Sequence, residues 1–202
     1  PTVTKFLKNI NIPVYKLNNY LDEINDFVLL VSNKIRYLKG KTEDYNNALK
    51  LLNETYEKGN LNQNELNHSI RVANESVYFA KKIGFQEERL KTIFIAGLLH
   101  DIGKSLIPGD ILVKPAGLND KEFEIIKNHP IIGSKLVPKN IENIVKEHHE
   151  RYDGSGYPKN LKGEDIALES RIIGIVDSFD AMSTKRSYKE KMSLTDTLNE
   201  LI

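Results

Sequence analysis

Every histidine of this chain falls into one pattern that could bind metal: His68, His100, His129 and the adjacent His148 and His149. His100 is followed directly by Asp101, and a further carboxylate, Asp177, lies in the apolar run IIGIVDSF. Five imidazoles and two carboxylates suffice for two divalent ions that share a bridging ligand. The chemistry-free alternative is five unrelated core or surface histidines. It requires His100–Asp101 within AGLLHDIGK, and His148–His149 just before a Gly-rich turn, to coincide by accident. A buried carboxylate without a partner is costly and tends to be protonated, a conflict that metal ligation resolves for Asp101. The chain has no cysteine, so thiolate catalysis, zinc ribbons and disulfides are excluded and any metal is held by nitrogen and oxygen. The lack of cysteine fits a reducing cytoplasm.

Helical periodicity supplies the elements that must bring these groups together. Residues 17–39 carry Leu21, Ile24, Val28, Val31, Ile35 and Leu38 at three- and four-residue spacing, and Gly40 ends the pattern. Residues 42–58 repeat it through Tyr45, Leu49, Leu52 and Tyr56. These two segments carry no catalytic-looking group and read as a helical hairpin, a linker or a dimerisation element. A third helix is expected from about Glu65 to Ile83, with His68 off the centre of its apolar stripe. The segment RLKTIFIAGLLHDIGK, residues 89–104, is apolar on nearly every side in its middle, as a buried helix would be. Continued as a helix, it puts His100, Asp101 and Lys104 on one face.

Asn119 and Glu122 resemble a capping box for a helix through about Asn128. His129 then precedes Pro130, which disfavours helical geometry before it, so His129 is expected at a helix break. A further helix leads through Ile141 and Val145 to His148 and His149. ERYDGSGYPKNLKGEDI follows as a Gly- and Pro-stiffened turn, either a plain surface loop or a wall beside the two histidines it follows. In SRIIGIVDSFDAMS, Asp177 and Asp180 share a helix face, and Asp180 reads as a cap or as a hydrogen-bond partner of a ligand. Arg186, Tyr188 and Lys189 come next, as a solvated segment or as charge and a ring at the mouth of the site. No strand-like alternation persists, so the fold is expected to be all-α.

The bulk numbers set outer bounds. A chain of 202 residues is one large domain, or one domain with an appendage, and 40% hydrophobic content can supply a core. With 29 basic and 28 acidic residues there is no general polyanion-binding field, so no duplex nucleic acid is expected as a partner. No apolar stretch approaches the ~20 residues of a membrane span, and no signal-peptide pattern opens the chain. The first residue is Pro1 and the last ten are SLTDTLNELI, a helical pattern expected to continue past the C-terminus.

Three segments carry a resemblance to a known family. HDIGK at 100–104, HHERYDGSGYP at 148–158 and DSFDAMSTKRSYK at 177–189 resemble the HD-GYP family, a branch of the HD-domain metal-dependent phosphohydrolases. The resemblance covers about residues 64–202. It implies an HD-domain helical bundle over 61–202, with residues 1–60 as an N-terminal helical extension or linker. It also implies phosphodiesterase activity, hydrolysing cyclic di-GMP to pGpG and in some members on to GMP. One metal would be held by His68, His100, Asp101 and Asp177, and a second by Asp101, His129, His148 and His149. Asp101 would bridge them. Lys104 matches the lysine that contacts the reacting phosphate, while Tyr157, Arg186 and Lys189 match substrate-binding positions. Asn64 stands where some members carry a glutamate that holds a third metal, so two metals are expected, and Glu65, one residue off register, is expected to point elsewhere.

The resemblance gives Asp101 and Lys104 the catalytic roles, with two divalent transition metals activating water and neutralising phosphoryl charge. Ligands of this kind without thiolate suit iron first and manganese second. The partners implied are cyclic di-GMP or a related cyclic dinucleotide, an upstream sensor or receiver domain, and a GGDEF-domain protein. Three other readings fit the family: an HD phosphohydrolase of other nucleotides, a catalytically silent cyclic di-GMP sensor, and oxygen chemistry at a di-iron site. A complete ligand set argues against the sensor, and the GYP turn and the cations argue for a cyclic dinucleotide.

Overall fold

A computed structural model describes residues 43–58, 63–112, 114, 117–184 and 192–201. The expected helix at 17–39 lies outside the described residues, as do Arg186, Tyr188 and Lys189. Everything regular among the described residues is helical, with no strand. In chain order the α-helices are α1 Glu43–Lys58, α2 Gln63–Lys82, α3 Glu87–Leu99, α4 Gly109–Leu112, α5 Asp120–Ile126, α6 His129–Ser134, α7 Glu142–Glu147, α8 Leu168–Ser183 and α9 Leu194–Glu200. Short 3-10 turns stand at Ile102–Leu106, Lys139–Ile141 and Gly163–Asp165.

One apolar cluster holds the bundle together. α2 contributes Val72, Ala73, Val77 and Ala80, α3 contributes Ile93, Phe94, Leu98 and Leu99, and α8 contributes Ile172, Ile173 and Val176. Ala48 and Leu52 of α1 belong to the same cluster, so the core draws on residues ahead of position 61. Burying each large aliphatic side chain here stabilises the fold by roughly 1.5–3 kcal/mol. α3 is apolar all round because it lies inside, against α1, α2 and α8.

The expected helix over 89–104 is not continuous. α3 ends at Leu99, and a 3-10 turn takes over from Ile102. The reason lies in Gly103. A Cβ there would stand 2.5 Å from Gly133 N and closer still to His129 O, so the bare glycine lets the α6 backbone press against this turn. That approach brings His129 and Asp101 together. Gly103→Ala is therefore expected to cost about 1–3 kcal/mol, the usual penalty for overpacking. The cost would show as a lower thermal midpoint together with weakened metal retention. An unchanged melt would show that the two backbones can separate freely.

The capping box at Asn119 forms as expected, with the Glu122 N–H donating to the Asn119 side chain and the Asn119 N–H donating to the Glu122 carboxylate. α5 is thereby started at a defined residue, and it runs out just before His129.

Candidate metal centre

Three helix ends and two helix faces converge on one buried point. His68 comes from the side of α2, His100 and Asp101 from the end of α3, His129 from the start of α6, His148 and His149 from the end of α7, and Asp177 from α8. His68, His100, Asp101, His129 and His148 are all buried. Ligand atoms of His68, His100 and Asp101 lie within 4.8 Å of one another, and so do those of Asp101, His129, His148 and His149. Asp177 joins the first group, with Oδ1 3.0 Å from His68 Nε2 and 3.9 Å from His100 Nε2.

Asp101 divides its two oxygens between the groups. Oδ2 lies 3.3 Å from His100 Nε2 and 3.7 Å from His68 Nε2. Oδ1 faces the other way, 3.1 Å from His129 Nε2 and 3.9 Å from His148 Nε2. This is the arrangement of a bridging carboxylate.

The helix ends also set the tautomers. His100 Nδ1 lies 2.7 Å from Gly97 O, His129 Nδ1 2.7 Å from Ile126 O, and His148 Nδ1 2.6 Å from Val145 O. A carbonyl can only accept, so each Nδ1 carries the proton and donates. Each of these histidines thus spends one nitrogen on the carbonyl three residues back, at the fraying end of a helix, and turns Nε2 towards Asp101. This orientation of one ring nitrogen by the other is how metal-binding imidazoles are held. His148 Nε2 and His129 Nε2 stand only 3.4 Å apart, so the two nitrogens face a common point.

The electrostatics fit a cation. Burial pushes the His149 imidazole down to about 3, and burial together with the neighbouring histidines drives His148 well below its ordinary value. Both are neutral and ready to ligate. Burial alone would raise Asp101 and Asp177, but Lys104 and the histidines around Asp101, and His68 beside Asp177, hold both well below the usual carboxylate range. For His68 burial opposes charge, yet hydrogen bonds to Asp177 and Asp180 raise it to about 9. A metal ion here would have to displace that proton. His100 Nε2 and Asp101 Oδ1 are buried with no hydrogen-bond partner, an expensive state for two polar atoms that a cation beside each would relieve. Residue types, orientation and orphaned atoms together fit divalent metal.

Asp180 anchors the first group from behind. Its Oδ2 accepts from His68 Nδ1 at 2.6 Å, and Arg71 forks onto the same carboxylate from Nε at 2.5 Å and Nη2 at 2.9 Å. Burial would raise Asp180, but Arg71 and His68 bring it down to about 2. One turn beyond Arg71, burial and the Asp180 charge push Glu75 up to about 7. Asp180→Asn is expected to lower metal affinity about 10- to 100-fold, the usual loss for a partner of a ligating histidine. Metal titration followed by elemental analysis would read it, and unchanged affinity would mean that α2 alone orients His68.

Lys104 stays with the cluster although the helix breaks. Its ammonium donates to Asp101 Oδ2 at 2.6 Å, with the side chain 20% exposed, enough to meet a bound anion. Burial would lower Lys104, but Asp101, Glu65 and Asp177 raise it, so it remains charged. Glu65 is in neither ligand group, and its charge adds to the field that holds Lys104 protonated.

The GYP turn folds back over the second group. The Tyr157 N–H donates to His149 O at 3.1 Å, and the Tyr157 ring lies 4.8 Å from the His149 ring at 31°. Gly156 is where no side chain fits, since a Cβ would stand 2.5 Å from both His149 O and Glu150 Cα. The Glu150 carboxylate pins the far side, accepting from Lys159 N at 2.6 Å and Leu161 N at 2.9 Å. Sequence reading passed over Glu150, Arg71 and Glu75. The signal available was burial of charge within helical stripes, which spacing alone does not separate from a solvated face.

The fold and the site together define an all-helical protein with a paired histidine–aspartate centre for divalent cations. Residues 41–202 match the HD domain family, and the chain belongs to that family, in its HD-GYP branch. It is 34% identical over 207 residues to a cyclic di-GMP phosphodiesterase of Thermotoga maritima, covering 98% of this chain and 55% of that protein. It is 40% identical over 141 residues to 3'3'-cGAMP-specific phosphodiesterase 1 of Vibrio cholerae, covering 65% of this chain and 32% of that one. Among solved structures, Bd1817, an HD-GYP-type protein from Bdellovibrio bacteriovorus, superposes with a TM-score of 0.54 at 18% identity, over 85% of this chain and 70% of its own, a likeness of fold. The chain thus spans about a third to about half of the curated relatives it matches.

Proposed function

We propose that this chain is a metal-dependent phosphodiesterase that hydrolyses cyclic di-GMP to pGpG, and on to GMP if the linear product rebinds. The observation that carries the reading is the division of Asp101, one oxygen towards His68 and His100 and the other towards His129 and His148. We assign His68, His100, Asp101 and Asp177 to one divalent ion and Asp101, His129, His148 and His149 to a second, iron first and manganese second by ligand type. Two such ions would supply an activated water and neutralise charge on the phosphoryl oxygens. The chain's own part is positional. His100, His129 and His148 point Nε2 into the centre, Asp101 holds the two halves in register, and Lys104 keeps a charged ammonium at the edge of the cluster for a non-bridging oxygen. Tyr157 walls one side.

Arg186 and Lys189 complete the anion site in this reading. Residues 1–60 serve as the extension that links the site to an upstream sensor or receiver domain, and a GGDEF-domain protein is a partner for the GYP turn. A cytoplasmic location follows from the substrate, and no helix among the described residues is long and apolar enough to cross a membrane. Likeness to the Vibrio cholerae protein supports a second reading, in which the substrate is a mixed-base cyclic dinucleotide. The deciding experiment is turnover of cyclic di-GMP and of 3'3'-cGAMP by iron- and manganese-loaded protein, with elemental analysis of the same sample. Hydrolysis of either at two metals per chain supports the phosphodiesterase and picks the substrate. Two bound metals with no turnover of either would sink it.

A further inference from the structure

The metal cluster accounts for one phosphate of a cyclic dinucleotide. Such a ligand also carries a second phosphodiester anion and two purine bases, and these must meet something beyond the cluster. One line of side chains leads outward from it. The His149 ring contacts Tyr157 at 4.8 Å, the Lys127 ammonium stands 5.9 Å from the Tyr157 ring, and the same ammonium stands 4.9 Å from the Phe123 ring. Phe123 and Lys127 are four residues apart on one face at the end of α5, and Ile126 O, between them, holds His129 in place. The wall is therefore built onto the element whose last carbonyl orients a candidate ligand.

The packing of α5 does not explain this wall. The helix buries none of its residues, and Phe123 is 46% exposed. An aromatic ring left in water beside a cation contributes little to stability, yet it is the pairing that receives a base and a phosphate. Lys127 does pair with Glu124 at 2.6 Å, but Glu124 is 67% exposed, and an exposed pair of this kind is weak and readily exchanged for a ligand anion.

Resting on the phosphodiesterase reading above, we infer that Phe123 and Lys127 form a second subsite. It takes the part of the cyclic dinucleotide away from the reacting phosphate, with a purine on the Phe123 ring and the second phosphodiester at the Lys127 ammonium. The subsite adds to binding and leaves the chemistry at the cluster unchanged.

The test uses metal-loaded full chain and two substrates, cyclic di-GMP and bis(p-nitrophenyl) phosphate, a phosphodiester too small to span from the cluster to α5. Phe123→Ala and Lys127→Gln are each expected to raise KM for cyclic di-GMP about tenfold, in the range of a lost base stack or a lost phosphate contact, with kcat nearly unchanged. Hydrolysis of bis(p-nitrophenyl) phosphate should not change, and Lys127→Gln should flatten the salt dependence of kcat/KM for cyclic di-GMP. Lys121→Gln, on the same helix, is the control and should match the parent protein. An unchanged KM for cyclic di-GMP in a protein that hydrolyses it would overturn the subsite and leave the phosphodiesterase standing. Equal losses on both substrates would also overturn it, because they would mean that the changes disturb Tyr157 and His149. A parent protein that cleaves the small phosphodiester but neither binds nor cleaves cyclic di-GMP would remove the phosphodiesterase reading, and the subsite with it.

Discussion

Asp101→Ala should remove both activity and the second metal. Activity is expected to fall by at least about a thousandfold, beyond the 10- to 100-fold typical of a partner one step removed from the ion. Asp101 is the group with an oxygen towards each set of histidines, Oδ1 3.1 Å from His129 Nε2 and Oδ2 3.3 Å from His100 Nε2. Without it the first set keeps His68, His100 and Asp177, enough for one weak site. The second keeps His129, His148 and His149 with no charge to balance a divalent ion. Elemental analysis should therefore give about one metal per chain or fewer, alongside the lost turnover. The buried Lys104 also loses its partner, so a thermal melt belongs beside the assay. A variant that keeps both metals would rule out the bridge, whatever its activity.

Lys104→Met should separate chemistry from metal binding. We expect kcat to fall about 100- to 1000-fold, the scale for losing one preorganised donor to a developing charge, with metal content unchanged. The ammonium sits 2.6 Å from Asp101 Oδ2 and is held charged by Asp101, Glu65 and Asp177. Its charge is thus set before substrate arrives, and methionine keeps the length of the stem without the donor. Because burial opposes that charge and three carboxylates sustain it, the ammonium does not titrate near neutrality, and the loss should be the same from mildly acid to mildly basic pH. Single-turnover kinetics with metal analysis would check both halves. Loss of metal in this variant would assign Lys104 to holding Asp101 rather than to the phosphate.

The residues that the structure gathers into the candidate centre were legible because they are a matter of residue types. His100–Asp101, His148–His149 and an aspartate in an apolar helix are unusual in any order, and their chemistry does not depend on how the helices pack. The helices themselves were legible where an apolar stripe repeats every three or four residues, as in α2 and α8, and where a cap is spelled out, as at Asn119. The expected helix over 89–104 failed because its end is decided from outside. Periodicity continues through HDIGK, but the α6 backbone packs directly on Gly103 within a 3-10 turn, a contact that periodicity does not reveal.

Spacing along the chain assigned no oxygen of Asp101 to either histidine group, since those groups come from helices far apart in sequence. Nor could it give tautomers, because each depends on a carbonyl at a helix end, or the pairing of His68 with Asp180, 112 residues away. Glu65 shows the same limit from the other side, since its charge adds to the field at Lys104 on another element, which register along α2 does not reveal. What this sequence determined by itself was a chemistry and a set of helices, because side-chain type and periodicity are local. Which lone pair faces which oxygen, and what stands behind each ligand, were decided by packing, because those are distances between residues the chain does not join.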